Sequence, residues 1–498
     1  MLFLVHSEYE TKRGFNYKFV LMVLGLLCLF QVIFLGISAG VSLYYGDSGL
    51  HSLLYTMGLD VVIGATLFLL GKGHTEYDTG RREGMVTVSL SWLVMSLLGM
   101  MPYWLGGFIP NFSEAYFEAM SGFSTTGSTI LNDIESLPRS ILFWRSVTQW
   151  IGGIGIIVFL VALVPFTGEN ASVVFDHETT GITHDRFVPR IGVMAKWITL
   201  IYVVLSIICA LLLWAGPLSL YDAVCHAATC ISTGGFSTYN ASIADIDSVY
   251  TNFILTVFMF IGATSFTLIY FAIVRKEPKR LFHDAEYRWF ASTIVVVTLF
   301  TAIWLYANGI YISFWKALLH SLFQVVSLIT TTGYVIQDYN FWGGSFWVVA
   351  LFLMFVAGCS GSTSGGLKMI RFNILSRNLL NEFKRRTHPQ AIVPLRYNGT
   401  FIKEKVVNQV YNFLYAYLTI ILIATFSVTL EGYSFTDAVS ASIACISNSG
   451  PGLSAFGPMA NFSTLSDFNT FLMSFLMLTG RLEIFTVLTL LHRSFWRN

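Results

Sequence analysis

Phe123-Ser124-Thr125-Thr126-Gly127-Ser128 decides the fold, because the chain carries three further versions of it. They are Ile231-Ser232-Thr233-Gly234-Gly235-Phe236, Ile329-Thr330-Thr331-Thr332-Gly333-Tyr334 and Ser447-Asn448-Ser449-Gly450-Pro451-Gly452. Each closes a short apolar run (113–123, 220–231, 314–329 or 436–446) and precedes an apolar run of membrane length. Unpaired backbone carbonyls at membrane depth are tolerated only within protein or along a watery cavity. The short runs cannot cross hydrocarbon, so they predict half-helices that dip in and end at a Gly-bearing loop.

The register supports true repetition. Ala115, Ala223 and Ala438 each stand twelve residues before a glycine, and Ser321 holds that place before Gly333. Gly235, not Gly234, is then the equivalent of Gly127, and the four aligned glycines lie 108, 98 and 117 residues apart. Self-similarity of this kind is architectural. Glycine allows backbone angles that turn successive carbonyls one way. Rings of carbonyls replace the water of a dehydrated cation, and half-helices aim the negative ends of their dipoles at the same centre. The expected filter is Thr125, Thr126 and Gly127; Ser232, Thr233, Gly234 and Gly235; Thr331, Thr332 and Gly333; and Asn448, Ser449 and Gly450. Cation conduction follows.

The rest of the chain agrees with a membrane setting. Of 498 residues, 55% are hydrophobic and 11% charged, with a mean hydropathy of +0.66, which excludes an ordinary soluble core. Apolar stretches near 19–45, 50–71, 84–106, 141–166, 191–216, 249–274, 287–310, 342–370, 406–430 and 468–492 predict ten spans. The run from Phe19, preceded by Lys12, Arg13 and Lys18, is too long for a signal peptide and is expected to be retained. The fold class is thus an all-α polytopic membrane protein. Residues 1–83 form a two-span extension. Four units of span, half-helix, loop and span follow at 84–168, 169–276, 277–380 and 381–498. The six cysteines lie in or beside apolar stretches without metal-ligand spacing and read as small fillers.

Charge sets the orientation. With both termini on one side, all of the 29 Lys and Arg except Arg139, Arg145, Lys316 and Arg481 fall on that side, which the positive-inside rule makes cytoplasmic. The half-helices then dip in from outside. That face carries Asp47, Glu114, Glu118, Asp133, Glu135, Asp222, Asp245, Asp247, Asp338, Glu431, Asp437 and Asp467. Acidic residues around a mouth concentrate cations; loops depleted of Lys and Arg by topology are the plainer account.

On the four Gly-bearing stretches, the chain resembles the superfamily of K+ transporters that includes the bacterial Trk and Ktr membrane subunits and the plant HKT proteins. The resemblance covers nearly the whole chain, and the two extra N-terminal spans place it with the TrkH/TrkG branch. It implies K+ uptake across the bacterial inner membrane, K+ being the transported ion, with no organic cofactor in this chain. In that superfamily, glycine in all four filters goes with K+ selectivity; here they are Gly127, Gly235, Gly333 and Gly450. The fourth loop departs most from the Thr-Thr-Gly form. The resemblance also implies a homodimer, each copy keeping its own pore, and a TrkA-like cytoplasmic ring of nucleotide-binding RCK domains. The basic stretch 381–396 is suited to meet that ring or anionic lipid heads. Nothing points to nucleic acid.

Two further features lie under the filter. Gly358-Cys359-Ser360-Gly361-Ser362-Thr363-Ser364-Gly365-Gly366 interrupts a span, and so many glycines and serines cannot hold a lipid-facing helix. A flexible loop is expected there, with small-residue helix packing as the alternative. The resemblance implies an intramembrane gate formed by Gly358, Gly361, Ser362, Thr363, Ser364, Gly365 and Gly366. Arg481 is the other feature. A cation in mid-membrane faces protein with a partner, and counting about 1.5 Å per residue places it near the depth of this loop. It is expected to bond the loop's carbonyls, to set a barrier under the filter, or simply to pair with Glu483. The resemblance matches it to the family's last-helix arginine.

Other classes are less well supported. Gly358-Cys359-Ser360-Gly361 has the form seen in intramembrane serine proteases, but such an enzyme needs a basic partner at that depth. His226 and His320 are too shallow, and His492 is at the inner end. His74, His177, His184, His283 and His388 fall in cytoplasmic loops without metal spacing, and there is no Walker A lysine. No enzyme is expected. A K+/H+ or K+/Na+ symporter and a Na+-permeable pathway stay open as alternatives.

Overall fold

The structure, a computed structural model, describes residues 15–73, 81–167, 191–391 and 393–496. Lys12, Arg13, His74, His177, His184 and residues 168–190 lie outside the described residues. Nearly all described residues that form regular structure are helical; one two-stranded hairpin, Arg396–Tyr397 with Thr400–Phe401, is the exception among them. Its register pairs Arg396 with Phe401.

The four half-helices are Phe112–Phe123, Leu220–Ile231, Phe314–Ile329 and Phe435–Ile446, within a residue of the expected limits. Three begin at a side-chain cap. Asn111 accepts from Ser113 N, Ser219 from Asp222 N, and Ser434 forms a reciprocal capping box with Asp437. Such caps satisfy N–H groups that the helix itself leaves unpaired. The half-helix from Phe314 starts at Ser313 without one.

Among the described residues, six helices are long and apolar enough to cross a bilayer: Tyr17–Tyr45, Leu50–Gly71, Arg82–Leu105, Met194–Trp214, Ala285–Ala307 and Glu404–Thr429. The unbroken 29-residue helix Arg139–Thr167 makes a seventh span. The first two form a hairpin pressed together at small residues. A Cβ on Gly25 would lie 2.7 Å from Gly64 O, and one on Gly71 would lie 2.4 Å from Met22 N. The described ends of the chain meet, with Phe15 and Trp496 rings 6.0 Å apart, which agrees with an even number of crossings.

The remaining three spans are broken, and here the sequence expectation of continuous helices at 249–274 and 468–492 is corrected. Val249–Gly262 and Phe266–Ile273 are bent by 99°, and Asp467–Arg481 and Phe485–Leu491 by 118°. Between Gly344–Val356 and Met369–Thr387 lies the expected loop. Helix Met369–Thr387 runs well past the span expected at 342–370, and the hairpin follows it. All six cysteines are buried and free.

Candidate functional site

The four Gly-bearing loops share one backbone. Thr125, Thr233, Thr331 and Asn448 have φ of 56°, 52°, 57° and 54°, and Gly127, Gly235, Gly333 and Gly450 have φ of 84°, 77°, 79° and 88°. Two left-handed residues flanking an ordinary one turn each half-helix abruptly out of its path. Positive φ is strained for threonine, and the same bond holds it four times. Thr126 N donates to Ser121 O, Gly234 N to Thr229 O, Thr332 N to Ser327 O and Ser449 N to Ala444 O, at 2.8–2.9 Å. The turn thus uses up N–H groups against the helix end while carbonyls are directed elsewhere.

Those loops close on one another. A Cβ added to Gly127 would stand 2.1 Å from Gly234 O, one on Gly235 1.7 Å from Thr332 O, one on Gly333 2.5 Å from Ser449 O, and one on Gly450 3.0 Å from Thr126 O. Each glycine therefore receives the carbonyl preceding the glycine of the next repeat, and the fourth returns to the first. The circle is complete. The left-handed positions confirm Gly235 as the partner of Gly127. Side-chain bonds tie neighbours further, with Ser128 Oγ donating to Gly450 O at 2.7 Å and Asn448 Nδ2 to Thr126 Oγ1 at 2.8 Å.

The second spans come up beneath the half-helices at glycines. A Cβ on Gly152 would lie 2.0 Å from Phe123 O, one on Gly262 3.0 Å from Ile231 O, and one on Gly480 1.9 Å from Ile446 O. A buried ion pair adjoins the ring of loops: Arg145 Nε and Glu118 Oε1 are 2.6 Å apart. Glu118 also accepts from Ile130 N and Thr129 Oγ1, while Arg145 donates to Ser237 O and covers the Phe236 ring. Of the acidic residues expected around the mouth, Glu118 is thereby removed; it is fully buried and its charge is matched.

The loop from Ala357 to Lys368 lies under this ring, with a left-handed residue at either end (φ 57° and 66°). Thr363 Oγ1 donates to Ile231 O and Gly262 O and accepts from Thr233 Oγ1. Gly365 N donates to Thr331 Oγ1, and a Cβ on Gly365 would lie 2.1 Å from Ser447 O. Gly358 packs under Ala263, Ser362 Oγ bonds Ser364 Oγ at 2.8 Å, and Gly366 sits against Ala357. Arg481 Nη1 donates to Thr363 O and Nη2 to Gly152 O, both at 2.7 Å. Glu483, the alternative partner for that arginine, makes an ion pair with Arg371.

Two breaks mend each other. Where the span after Gly262 bends, Cys359 N donates to Ala263 O, Thr363 N to Gly262 O, and Phe266 N to Gly361 O. Backbone groups that a broken helix leaves open at membrane depth must find partners, and the loop supplies them. Sequence reasoning missed Glu286. Buried in the first turn of Ala285–Ala307, it accepts from Ser360 N (2.7 Å), Ser360 Oγ (2.9 Å) and Ile370 N (3.0 Å). It thus holds both ends of the loop. The available signal was a carboxylate placed just inside a span near a run of unpaired N–H groups. Ser360, the residue of the protease reading, spends its hydroxyl on Glu286.

A family described as TrkH, cation transport protein, matches residues 59–496. The Trk system potassium uptake protein TrkH of Vibrio parahaemolyticus is 35% identical over 490 residues, 97% of this chain and all of the relative. Its counterpart TrkH in Escherichia coli is 32% identical over 486 residues, again 97% and 100%, and TrkG of Escherichia coli is 31% identical over 464 residues, 92% and 94%. The crystal structure of the potassium transporter TrkH from Vibrio parahaemolyticus superposes with a TM-score of 0.88 at 33% identity, covering 97% of this chain and 100% of that one.

Proposed function

The chain belongs to the TrkH family of cation transport proteins, and from that premise we propose that it takes up K+ across the bacterial inner membrane, its termini in the cytoplasm. K+ is the cargo, and no covalent chemistry is involved. Dehydrated K+ is held by carbonyls of the four loops, at Thr125–Gly127, Ser232–Gly235, Thr331–Gly333 and Asn448–Gly450, and then meets the 357–368 loop. The observation that carries this reading is the closed circle in which each ring glycine abuts a carbonyl of the next repeat. Four ordinary turns have no reason to interlock in sequence order; a carbonyl-lined pore requires it. The repeats take the boundaries 84–168, 169–276, 277–380 and 381–498, after the 1–83 extension.

The loop acts as the gate. It bonds the filter's underside through Thr363 and Gly365, and Arg481 ties it to the unbroken span of the first repeat. Displacing it exposes backbone groups of the bent span beyond Gly262, so closed and open arrangements are discrete. A cytoplasmic TrkA-like ring of nucleotide-binding domains sets the balance between them, and two copies of the chain assemble, each with its own pore.

Flux of K+ and Na+ in liposomes, at several voltages and with or without a proton gradient, tests the reading. A reversal potential following the K+ gradient alone is expected. A shift with pH or with the Na+ gradient replaces conduction by symport. Gly127→Ser is expected to lower K+/Na+ discrimination, and unchanged selectivity would refute the filter assignment.

A further inference from the structure

Three of the four loops place a hydroxyl immediately before the ring glycine, and one does not. Thr126, Thr332 and Ser449 each bond the hydroxyl two residues earlier: Ser124 at 2.6 Å, Thr330 at 2.8 Å and Ser447 at 3.1 Å. The second loop has Gly234 at that position. The space is filled nonetheless. A Cβ built on Gly234 would lie 2.4 Å from Cδ, 2.5 Å from Oε1 and 2.8 Å from Nε2 of Gln149, a fully buried residue of Arg139–Thr167 in the first repeat.

We propose that Gln149 is a positioning residue of the filter, filling from the first repeat the space that a threonine or serine side chain takes in the other loops. Its amide grips the loop on both sides of Gly235. Nε2 donates to Gly234 O at 2.7 Å, and Oε1 accepts from Phe236 N at 3.0 Å. Gly234 O is the ring carbonyl that packs on Gly127, so one side chain fixes the direction of one quarter of the circle. Gly235 is also where the circle is tightest, 1.7 Å from a notional Cβ to Thr332 O. A rigid primary amide, planar and hydrogen-bonded at both ends, suits that demand better than a freely rotating hydroxyl. A carbonyl that already accepts one bond from behind has less freedom to swing toward a smaller ion. The second loop is therefore the stiff quarter, and discrimination against Na+ depends on Gln149 although no filter motif contains it.

The inference rests on the reading of the four loops as a K+ filter, and its test separates the two. Full-length chain carrying Gln149→Ala, Gln149→Met, Gly234→Thr or Gln149→Ala with Gly234→Thr is reconstituted beside Gly127→Ser. The K+/Na+ permeability ratio is read from reversal potentials, because a loss of stability alone changes the amount of flux and not this ratio. Gln149→Ala is expected to lower the ratio roughly three- to tenfold, the worth of one buried hydrogen bond. Gly234→Thr alone collides with the Gln149 amide and lowers transport, whereas the double variant regains most of the ratio. Should Gln149→Ala not reach the membrane, Gln149→Met decides, since it keeps the length and volume of the side chain and removes the donor to Gly234 O. A wild-type ratio in that variant, or in Gln149→Ala while Gly127→Ser is altered, overturns the inference and leaves the filter standing. A lowered ratio that Gly234→Thr does not restore overturns the replacement of the missing threonine. A wild-type ratio in both Gln149→Ala and Gly127→Ser overturns the filter reading itself.

Discussion

The ring of loops and the layer just below it come from the same four repeats and treat their backbones in opposite ways. In the ring every repeat repeats the same bond from loop N–H to half-helix carbonyl, and the same pair of left-handed residues. Below, the first repeat sends an unbroken helix, the second and fourth bend by 99° and 118°, and the third opens into a twelve-residue loop from Ala357 to Lys368. The ring's turns are held by bonds within each repeat, so symmetry suits them. The lower layer is satisfied in large part between repeats, loop to bent helix to Arg481, while Glu286 holds the loop from within the third repeat. A ring built that way is expected to move little, and a layer built from mutual repair suits the gate proposed for it.

The largest effect expected follows from the ring's geometry. Alanine at the four ring glycines should damage K+ uptake in the order Gly235, Gly127, Gly333, Gly450, following notional Cβ distances of 1.7, 2.1, 2.5 and 3.0 Å to backbone oxygen. Left-handed backbone costs a non-glycine residue roughly 1–2 kcal/mol at every site, so the order comes from the overlap. Gly235→Ala is expected to abolish uptake, and Gly450→Ala to retain a measurable fraction. Equal damage at all four, by radiotracer uptake normalised to protein in the membrane, would break the link between the circle's contacts and its function.

Next come the ties of the lower layer, where substitutions should raise rather than abolish flux. Arg481→Ala removes the link from Thr363 O to Gly152 O and is expected to raise K+ leak without the cytoplasmic partner several-fold, with the K+/Na+ ratio unchanged. Unaltered flux and regulation would remove Arg481 from the gate. Glu286→Ala frees Ser360 N and Ile370 N, each unsatisfied buried donor costing about 1–3 kcal/mol. It should speed amide hydrogen exchange across 358–370, and Glu286→Gln, which keeps an acceptor oxygen, should do so less. Exchange that stays at wild-type rates in Glu286→Ala would show that the loop is held elsewhere.

This contrast also governs what could be read from the sequence. The half-helices and loops were legible because a Gly motif, an upstream Ala or Ser register and a short apolar run recur together, and the structure reproduces their limits within a residue. The loop at 358–366 was legible because nine residues with four glycines cannot stay helical in lipid. The bends after Gly262 and Arg481 were not. Ala263-Thr264-Ser265 and Leu482-Glu483-Ile484 carry no proline or glycine run; the first break is met by partners from the loop, a tertiary fact, and the second turns back on its own helix through left-handed Glu483 and Ile484. Glu286 and Gln149 were hidden for the same reason: each acts on a segment far away in sequence. The acidic face misled in part, since Glu118 answers Arg145 instead of the solution.

The smallest effect expected lies where the N-terminal hairpin is fastened to the first repeat, away from ring and gate alike. Asp47, in the turn between the first two spans, accepts from Ser42 Oγ, Ser140 N at 2.8 Å, Ser140 Oγ at 2.7 Å and Gly49 N at 3.1 Å. Burial pushes this carboxyl up, but the hydroxyl and backbone donors outweigh it and hold its pKa below the ordinary value. A depressed carboxylate stabilises the fold fully above the unfolded pKa of about 3.9, and the contribution is lost as pH falls through the lower folded value. Asp47→Asn should therefore lower the Tm in detergent by about 1–2 °C at neutral pH and leave K+/Na+ selectivity untouched. The gap between wild type and variant should close as the pH drops below the ordinary carboxylate range. A gap that persists in acid would mean that packing at Ser140, rather than the charge on Asp47, fastens the hairpin. A change in selectivity would mean that the extension reaches the ring through the helix beginning at Arg139, and the ring would then not be insulated from the rest of the fold.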